Sequence, residues 1–235
     1  MKLQKIDFTI QRKLGQAMKQ FDMLADGDVI AVGMSGGKDS YALLDLLAKR
    51  RKFIPVKYDV VGVHIDLGLS AEQTENIQKF CDERDVKCYF ENQKLEAENG
   101  KEINCFYCSW MRRTYLFKFV GRLGIKKLAL GHHMNDLVET VFLNMFYQSK
   151  FESFLPNTKF FKGEFNLIRP LIFCKNREIL EYAKTHNFPH DIHKCPFNIK
   201  SQRNEIREMI EKLEANDELI VNNIFSSWIK KSFVE

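Results

Sequence analysis

The segment from residue 29 to residue 47 constrains the fold of this chain more than any other stretch. Residues 29–32 are an apolar run typical of a buried strand, residues 35–37 indicate a turn with little side-chain bulk, and residues 41–47 indicate a helix. A strand that turns directly into a helix points successive backbone N–H groups, and the positive end of the helix, at one place. The sequence therefore predicts an anion-binding corner, most naturally for a phosphate.

The side chains after the turn strengthen this prediction. Lys38 adds a positive charge and Ser40 adds a hydroxyl donor. A Walker-type phosphate loop is excluded twice, because its first glycine would fall at Val32 and a Ser or Thr would stand in place of Asp39. The remaining alternative is an ordinary strand-turn-helix corner without a ligand.

Strands and helices alternate after this corner. A strand at 58–66, a helix at 71–85 and a short strand at 87–91 predict an α/β fold with a parallel sheet and helices on both faces. Ligands of such sheets bind beyond the carboxyl ends of the strands. Asp66 is therefore expected beside the corner, where it would order a ribose, a metal or the reacting atoms. Capping of the next helix is the alternative role.

Composition sets the class of the protein. With 235 residues, of which 45% are hydrophobic, we predict one domain over 1–235, with an N-terminal helix at 8–24, a nucleotide-binding core at about 27–185 and a C-terminal loop with helices at 186–235. The net charge of +5 favours an anionic partner. No apolar run could span a bilayer and no leader opens the chain, so we expect a cytoplasmic protein without a membrane partner. The six cysteines are then expected to be thiols or metal ligands.

A second informative motif lies at the start of a predicted helix. Cys105 and Cys108 have the spacing with which one turn binds a zinc ion or an iron-sulfur centre. A redox dithiol and a pair of buried thiols are the alternatives. Arg112, Arg113 and Lys118 fall largely off the apolar stripe of this helix, so they form either a solvated face or a contact with a phosphate backbone.

Residues 127–140 predict another strand, a tight glycine turn and a helix. The backbone of Gly131 is expected near adenosine, and Asp136 near magnesium or the phosphates. Helix capping explains Asp136 nearly as well. His132 and His133 are candidate ligands or bases, although histidines at strand ends are more often hydrogen-bonded structural residues.

The letters SGGKDS at 35–40 match the signature of the PP-loop ATP pyrophosphatases, so the chain resembles that superfamily. The resemblance implies an adenine nucleotide alpha hydrolase-like fold that cleaves ATP between its α and β phosphates. Members use the adenylyl group to activate a carbonyl oxygen for displacement.

Further motifs narrow the resemblance. CFYCSWMRR at 105–113, ALGHH at 129–133, IRPL at 168–171 and the later Cys195 follow the order seen in the TtcA group, the tRNA 2-thiocytidine biosynthesis sulfurtransferases. This similarity covers roughly residues 8–207. The related TtuA group is less similar, because its members bear zinc-finger cysteines at both ends and this chain has none.

The TtcA resemblance implies an ATP-dependent tRNA-cytidine 2-sulfurtransferase. Such an enzyme adenylates a pyrimidine 2-carbonyl, here a cytidine of the anticodon loop, and replaces its oxygen with sulfur. The implied cofactors are ATP, Mg²⁺ and a 4Fe-4S cluster held by Cys105, Cys108 and Cys195. The implied partners are tRNA and a sulfur donor, either a cysteine desulfurase persulfide or free sulfide, and the family is compatible with a homodimer.

The candidate site residues follow from the motifs. The predicted nucleotide-binding residues are Ser35, Gly36, Gly37, Lys38, Asp39, Ser40, Ile65, Asp66, Leu130, Gly131 and Asp136. The predicted catalytic residues are Lys38, Asp39, Cys105, Cys108 and Cys195. The predicted RNA-binding residues are Arg112, Arg113, Lys118, Arg203 and Arg207.

Two other function classes stay open at this point. One is a PP-loop tRNA-modifying ligase or amidating enzyme with a nitrogen nucleophile, in which the cysteines bind structural zinc with His193 as a fourth ligand. The other is a non-catalytic module that binds nucleotide and RNA. Iron and acid-labile sulfide in the purified protein would argue against the zinc-containing ligase. Release of pyrophosphate from ATP would argue against the non-catalytic module.

Overall fold

A computed structural model describes residues 5–67, 71–93, 105–189 and 202–233, with side chains for all of these except Ala71, Cys105, Phe106, Cys108 and Ser109. The strands in these ranges are β1 Asp28–Gly33, β2 Tyr58–Asp66, β3 Lys87–Asn92, β4 Lys127–Ala129, β5 Asn157–Phe160 and β6 Phe165–Ile168. The helices are α1 Lys5–Gln20, α2 Lys38–Arg50, α3 Ala71–Asp82, α4 Cys105–Arg122, α5 Met134–Gln148, α6 Asn176–Thr185, α7 Gln202–Asn216 and α8 Ile220–Phe233.

The six strands form one mostly parallel sheet in the order β3-β2-β1-β4-β6-β5. β1 pairs in parallel with β2 on one side and with β4 on the other. Only β5, at the edge, runs antiparallel to its neighbour β6 among the described strands. Because β1 and β2 are short runs of buried apolar residues, they occupy the centre, and the predicted α/β sheet is confirmed.

The two faces of the sheet are covered unequally. On one face, buried side chains of α1, α2, α3, α5, α6, α7 and α8 form a single core with the strands. On the other face, α4 is the helix that contributes buried residues, Leu116 and Val120, within the described parts of the chain. Helices therefore cover both faces, as predicted, and in the described ranges one of these faces is covered by a single helix.

Two segments differ from the sequence-based expectation. The first helix ends at Gln20 rather than near residue 24, because Asp22 adopts a left-handed φ of 49° while the apolar residues beyond it still pack inward. The sequence analysis assigns no strand to the stretch 148–166, yet this stretch contains β5 and a tight hairpin into β6. The alternating side chains of this hairpin carry too little periodic signal to predict it.

No helix in the described ranges is long and apolar enough to cross a membrane.

Candidate active site at the carboxyl edge of the sheet

The fold creates a crevice where the direction of strand addition reverses. The chain passes from β1 outward to β2 and β3, then returns to the other side of β1 with β4. Ligands of parallel sheets bind at the carboxyl ends of the strands at such a switch point. The loop after β1 carries residues 34–37, and the loop after β4 carries Leu130 and Gly131. Both predicted nucleotide-binding motifs therefore border one crevice.

The loop after β1 has the conformation of an anion cradle. Gly36 has φ +77°, and a Cβ there would lie 2.0 Å from Gln73 Nε2. Gln73 Nε2, in α3, donates to the Ser35 carbonyl at 2.7 Å and so links the loop to that helix. Gly37 is the N-cap of α2 and supplies no side chain to the cap, so the positive end of the helix faces the loop.

Ser40 acts within the loop. Its side chain is buried, its hydroxyl donates to the Gly37 carbonyl at 2.8 Å, and it accepts from the Ser35 N–H at 3.2 Å. These bonds join the two ends of the glycine turn. In this conformation the Ser40 hydroxyl shapes the cradle, whereas Ser35 is exposed at its rim.

Gly131 allows the two loops to approach each other. A Cβ at this position would lie 2.9 Å from both the carbonyl carbon and the carbonyl oxygen of Asp39. Any larger residue would push the first turn of α2 away from β4. The requirement for glycine here is therefore a close backbone contact that closes the crevice.

Charged side chains form a chain across the mouth of the crevice. Lys38 Nζ lies 2.6 Å from Asp39 Oδ1, and both side chains remain partly exposed. His133 is buried, and its Nε2 lies 3.8 Å from the same Asp39 oxygen. The other ring nitrogen of His133, Nδ1, accepts from the Asp136 N–H at 3.4 Å, while Asp136 Oδ2 accepts from the His133 N–H at 2.9 Å. His133 thus links the cradle to the N-terminus of α5.

Asp136 is a capping residue with an unusually stable charge. Burial raises its pKa, but His133, His132 and Arg203 outweigh burial and hold the pKa below its usual value. Arg203 also contacts Glu139, with Nε 2.9 Å from a carboxylate oxygen, and Arg207 Nε lies 2.9 Å from the other oxygen. Both arginines are therefore engaged by internal carboxylates, so contacts with RNA stay a prediction for Arg203 and Arg207.

Arg112 of α4 lies near enough to His64 for its charge to act on that imidazole. Burial lowers the pKa of the His64 imidazole, and the nearby positive charge of Arg112 lowers it further. His64 Nδ1 lies 2.7 Å from the Met34 carbonyl, at the start of the cradle loop. Arg112 Nε is buried without a hydrogen-bond partner in the described structure. An unpaired buried guanidinium nitrogen one turn after Cys108 is an available donor for an anionic group.

The cysteines divide into two groups. Cys105 and Cys108 occupy the first turn of α4, three residues apart and therefore on one side of the helix. Cys195 lies outside the described residues, so its distance from that pair stays a prediction. Cys81 and Cys174 are fully buried, and burial raises the pKa of the Cys174 thiol to about 12. Cys174 is therefore a core residue rather than a group of the crevice.

The remaining predicted nucleotide-binding residues end β2 or follow β4. Ile65 and Asp66 end β2, and Asp66 opposes Asn92 of β3. The Ile65 side chain is buried in the core, which leaves its backbone for a ligand. Leu130 follows β4, and its N–H donates to the Ile168 carbonyl at 3.0 Å. Arg113 and Lys118 are exposed on α4.

The His132 side chain contacts Arg169 and Phe154. Its Nδ1 accepts from Arg169 Nε at 3.3 Å, and its ring lies 5.1 Å from that of Phe154. Burial, together with the charges of Arg169, Arg203 and Arg113, lowers the pKa of His132 to about 3 against the opposing effect of Asp136. The imidazole is neutral near pH 7.

Sequence reasoning did not identify Gln73 or Arg169 as site neighbours, because each acts through contacts far apart in the chain. Among the described residues, no three His, Cys, Asp or Glu side chains are grouped so that they could hold a metal ion.

Comparison with known proteins agrees with this architecture. A family model for the PP-loop domain matches residues 6–214. The chain is 38% identical over 225 residues to a tRNA-cytidine(32) 2-sulfurtransferase of Herminiimonas arsenicoxydans, covering 92% of this chain and 70% of that protein. It is 33% identical to the protein of the same name from Vibrio parahaemolyticus, covering 95% and 77% respectively.

A solved structure shares the fold. The U34-tRNA thiolase NcsA of Methanococcus maripaludis, solved with its 4Fe-4S cluster, superposes with a TM-score of 0.77 at 22% identity, covering 95% of this chain and 77% of that one. At this identity the match supports the fold alone. The family follows from the PP-loop model and the sulfurtransferase relatives: the chain belongs to the TtcA group of PP-loop ATP pyrophosphatases, the family of the tRNA-cytidine(32) 2-sulfurtransferases.

Proposed function

We propose that this chain is an ATP-dependent sulfurtransferase that converts a tRNA cytidine to 2-thiocytidine in the cytoplasm. One observation carries the proposal beyond the family: the anion cradle and the helix that begins with Cys105 and Cys108 share one edge of the sheet. Arg112 and His64 connect them, since the charge of Arg112 acts on His64 and His64 contacts the cradle at Met34. Nucleotide and sulfur chemistry can therefore meet in one crevice.

The first half of the reaction belongs to the cradle. A cytidine 2-carbonyl oxygen is a poor leaving group, so we propose that it attacks the α-phosphorus of ATP and pyrophosphate departs. Backbone N–H groups at Gly37 and the start of α2 would bind the phosphates, and Lys38 would offset charge growing on pyrophosphate. Asp39, 2.6 Å from Lys38 and next to buried His133, would orient that lysine or take up a proton. Mg²⁺ would enter with the ATP phosphates, with Asp39, Asp66 or Asp136 as candidate contacts.

The second half requires a sulfur nucleophile that attacks carbon 2; the bond from carbon 2 to oxygen breaks, and AMP departs carrying the former carbonyl oxygen. The i, i+3 spacing of Cys105 and Cys108 fits an anionic, thiolate-held group at this end of α4, and so does Arg112 Nε, which has no hydrogen-bond partner among the described residues. We propose a 4Fe-4S cluster held by Cys105, Cys108 and Cys195. When bound, a cluster with three protein ligands would supply an open iron that can hold sulfide, taken either directly from free sulfide or from a persulfide together with two electrons from a reductant. Arg112 would then donate to the anionic group, and Arg113 and Lys118 would contact tRNA phosphates.

The reaction is tested by mass spectrometry of tRNA nucleosides from cells with and without this chain, together with pyrophosphate release by the purified protein. Asp39→Ala should keep its iron but lower pyrophosphate release by at least about 100-fold, the usual range for loss of a proton-transfer or orienting group. Asp59→Ala is the matched control, because the Asp59 side chain is 77% exposed at the opposite end of β2. Unchanged 2-thiocytidine without the chain, or normal turnover of Asp39→Ala, contradicts the proposal.

The metal assignment has a separate test. Cys108→Ser should lose the iron, the acid-labile sulfide and the brown colour of anaerobically purified protein, while ATP affinity changes little, because the cradle lies on other elements. Cys88→Ala is the matched control, since Cys88 in β3 packs against the core. Retention of full iron content by Cys108→Ser would falsify the ligand assignment, and colourless wild-type protein containing zinc would favour a nitrogen-transferring PP-loop enzyme.

A further inference from the structure

Among the described residues, α4 is the helix that covers one face of the sheet, and this helix is narrower than the sheet. Six strands span about 24 Å across the hydrogen-bonding direction, whereas a helix with its side chains is about 10 Å wide. Because α4 lies over this face on β2, a groove of about 760 Å³ remains between α4 and the β5–β6 hairpin. The groove begins at Trp110, two residues after Cys108, and extends along α4 and past its end at Arg122 to Gly124.

The walls of the groove are aromatic. Trp110 is 50% exposed at one end, and Phe161 is 75% exposed at the hairpin tip. Between them, the rings of Phe117 and Phe160 lie 5.5 Å apart, and those of Phe117 and Phe165 lie 5.3 Å apart. Exposed aromatic rings on a fixed aromatic base can accept a flat partner by stacking.

The hairpin tip has a strained backbone that keeps Phe161 in solvent. Phe161 has φ 50°, Lys162 has φ 57° and Gly163 has φ 94°, so three successive residues are left-handed. A bulky residue is strongly disfavoured in this conformation. Strained backbone with an exposed aromatic side chain is a feature typical of binding sites.

The rim of the groove selects an anionic partner. Arg113, Lys118 and Lys126 are exposed lining residues, and Glu164 is the acidic one among the described residues. A second copy of the chain in a symmetric contact would bring these cations together, which is unfavourable. A polyanion with flat, stackable groups satisfies both the charge and the aromatic walls.

We propose that this groove binds a single-stranded segment of the RNA substrate, with bases stacked on Trp110 and Phe161 and phosphates contacted by Arg113, Lys118 and Lys126. The inference rests on the proposed function, in which the substrate is tRNA. Trp110 lies 12 positions before the end of α4 at Arg122, a helical rise of about 18 Å, which matches about five stacked nucleotides at about 3.4 Å each. The groove would guide one strand of the RNA loop away from the crevice, beginning beside the cysteine-bearing turn of α4.

Binding of an anticodon stem-loop RNA to the holoenzyme tests the inference. Phe161→Asn should weaken binding roughly tenfold by loss of one stacked base. Asn tolerates the left-handed backbone, so this variant should fold at least as stably as the wild type. The matched control is Phe8→Asn, because Phe8 is 68% exposed on α1, which packs on the opposite face of the sheet. The control should bind RNA like the wild type.

Two further readouts separate RNA contact from other effects. The double variant Lys118→Gln, Lys126→Gln should reduce the slope of log K against log salt by about one to two. RNA should quench the fluorescence of half-exposed Trp110 but not that of buried Trp228, so Trp110→Phe should abolish the quenching.

Unchanged RNA affinity and unchanged salt slope in the groove variants overturn the inference. The inference is also overturned if the groove variants differ from the wild type in the mass measured by sedimentation but bind RNA with the same affinity. That result assigns the groove to contacts between copies of the chain. If the wild type makes 2-thiocytidine while the groove variants bind RNA normally, only the groove assignment fails. If the groove variants lose RNA affinity but the wild type makes no 2-thiocytidine, the proposed function fails and the groove assignment stands.

Discussion

At the scale of single residues, Gly131 determines how closely the two halves of the crevice approach. Its missing side chain lets the loop after β4 touch the backbone of Asp39, in the first turn of α2. Gly36 has a different role, because its left-handed φ makes the turn itself possible. Gly131 therefore sets the distance between the two loops, and Gly36 allows the backbone of the cradle loop to turn.

Gly131→Ala should open the crevice. The new methyl group would lie 2.9 Å from the Asp39 carbonyl, so α2 must shift. We expect a loss of about 1–3 kcal/mol in the free energy of unfolding, as for other overpacked sites, and a larger loss of ATP affinity than of tRNA affinity. Calorimetric titration with ATP and denaturant unfolding measure both quantities.

Gly121→Ala is the control, because a Cβ at that helical position would have no described atom within 4 Å apart from its chain neighbours and the backbone of its own helix. It should be neutral or slightly stabilising, since alanine favours a helix over glycine. Equal ATP affinity of Gly131→Ala and wild type would show that the two loops do not need their close contact.

At the scale of elements, helix α7 is anchored on α5 by ion pairs. Arg203 and Arg207 both contact Glu139, whose side chain is buried. Cys195 precedes the start of α7 at Gln202 by seven residues, so chain length holds the two within about 25 Å. The anchor of α7 therefore limits where Cys195 can be.

Glu139→Gln should loosen α7. A neutral amide keeps the shape but leaves two arginines without their carboxylate, at a cost of about 2 kcal/mol. Amide hydrogen exchange should accelerate over residues 202–216, and iron content should fall if the position of Cys195 depends on α7. Glu205→Gln, exposed on the same helix, should change neither quantity. Equal exchange rates over α7 in the two variants would contradict the anchor.

At the scale of the whole molecule, Asp45 joins three elements beneath the sheet. It is buried in α2, with Lys49 Nζ at 2.8 Å and Arg84 Nε at 2.6 Å, and it accepts from the Tyr182 hydroxyl of α6. Burial raises the pKa of Asp45, but Lys49, the Tyr182 hydrogen bond and Arg84 outweigh burial and lower it. The carboxylate is therefore ionised in the folded protein at neutral pH.

The stabilisation that Asp45 provides should be lost at low pH. Because the folded pKa lies below the unfolded value of 3.8, this stabilisation is fully present above that value and is lost as pH falls through the folded pKa. Asp45→Asn should lower the free energy of unfolding at pH 7 by about 3 kcal/mol. Denaturant unfolding should be measured from pH 7 to pH 3. The difference in the free energy of unfolding between Asp45→Asn and the wild type should become smaller below about pH 4. Asp59 is largely exposed, so Asp59→Asn should have the same free energy of unfolding as the wild type at every pH. If Asp45→Asn differs from the wild type by the same free energy at every pH, ionisation of Asp45 does not provide the stabilisation.

The sequence predicted those features that depend on local pattern. β2 was placed at residues 58–66, as observed, because alternation and β-branched residues mark it, and the corner at 35–40 was placed by its glycines. The hairpin of β5 and β6 was missed, since its pairing is decided by partners across the sheet. The start of α4 at Cys105 followed from its apolar spacing.

What the sequence determined by itself was the type of each motif: an anion-binding turn, a paired-cysteine helix start and a parallel sheet to carry them. Only the tertiary structure decided which groups meet. It placed Gly131 against Asp39 and paired Arg203 and Arg207 with Glu139. It also made α4 the helix that covers the second face of the sheet within the described part of the chain. The physical reason is that turns and helix starts depend on neighbours within a few residues, whereas close approaches and ion pairs depend on packing between segments that are distant in the chain.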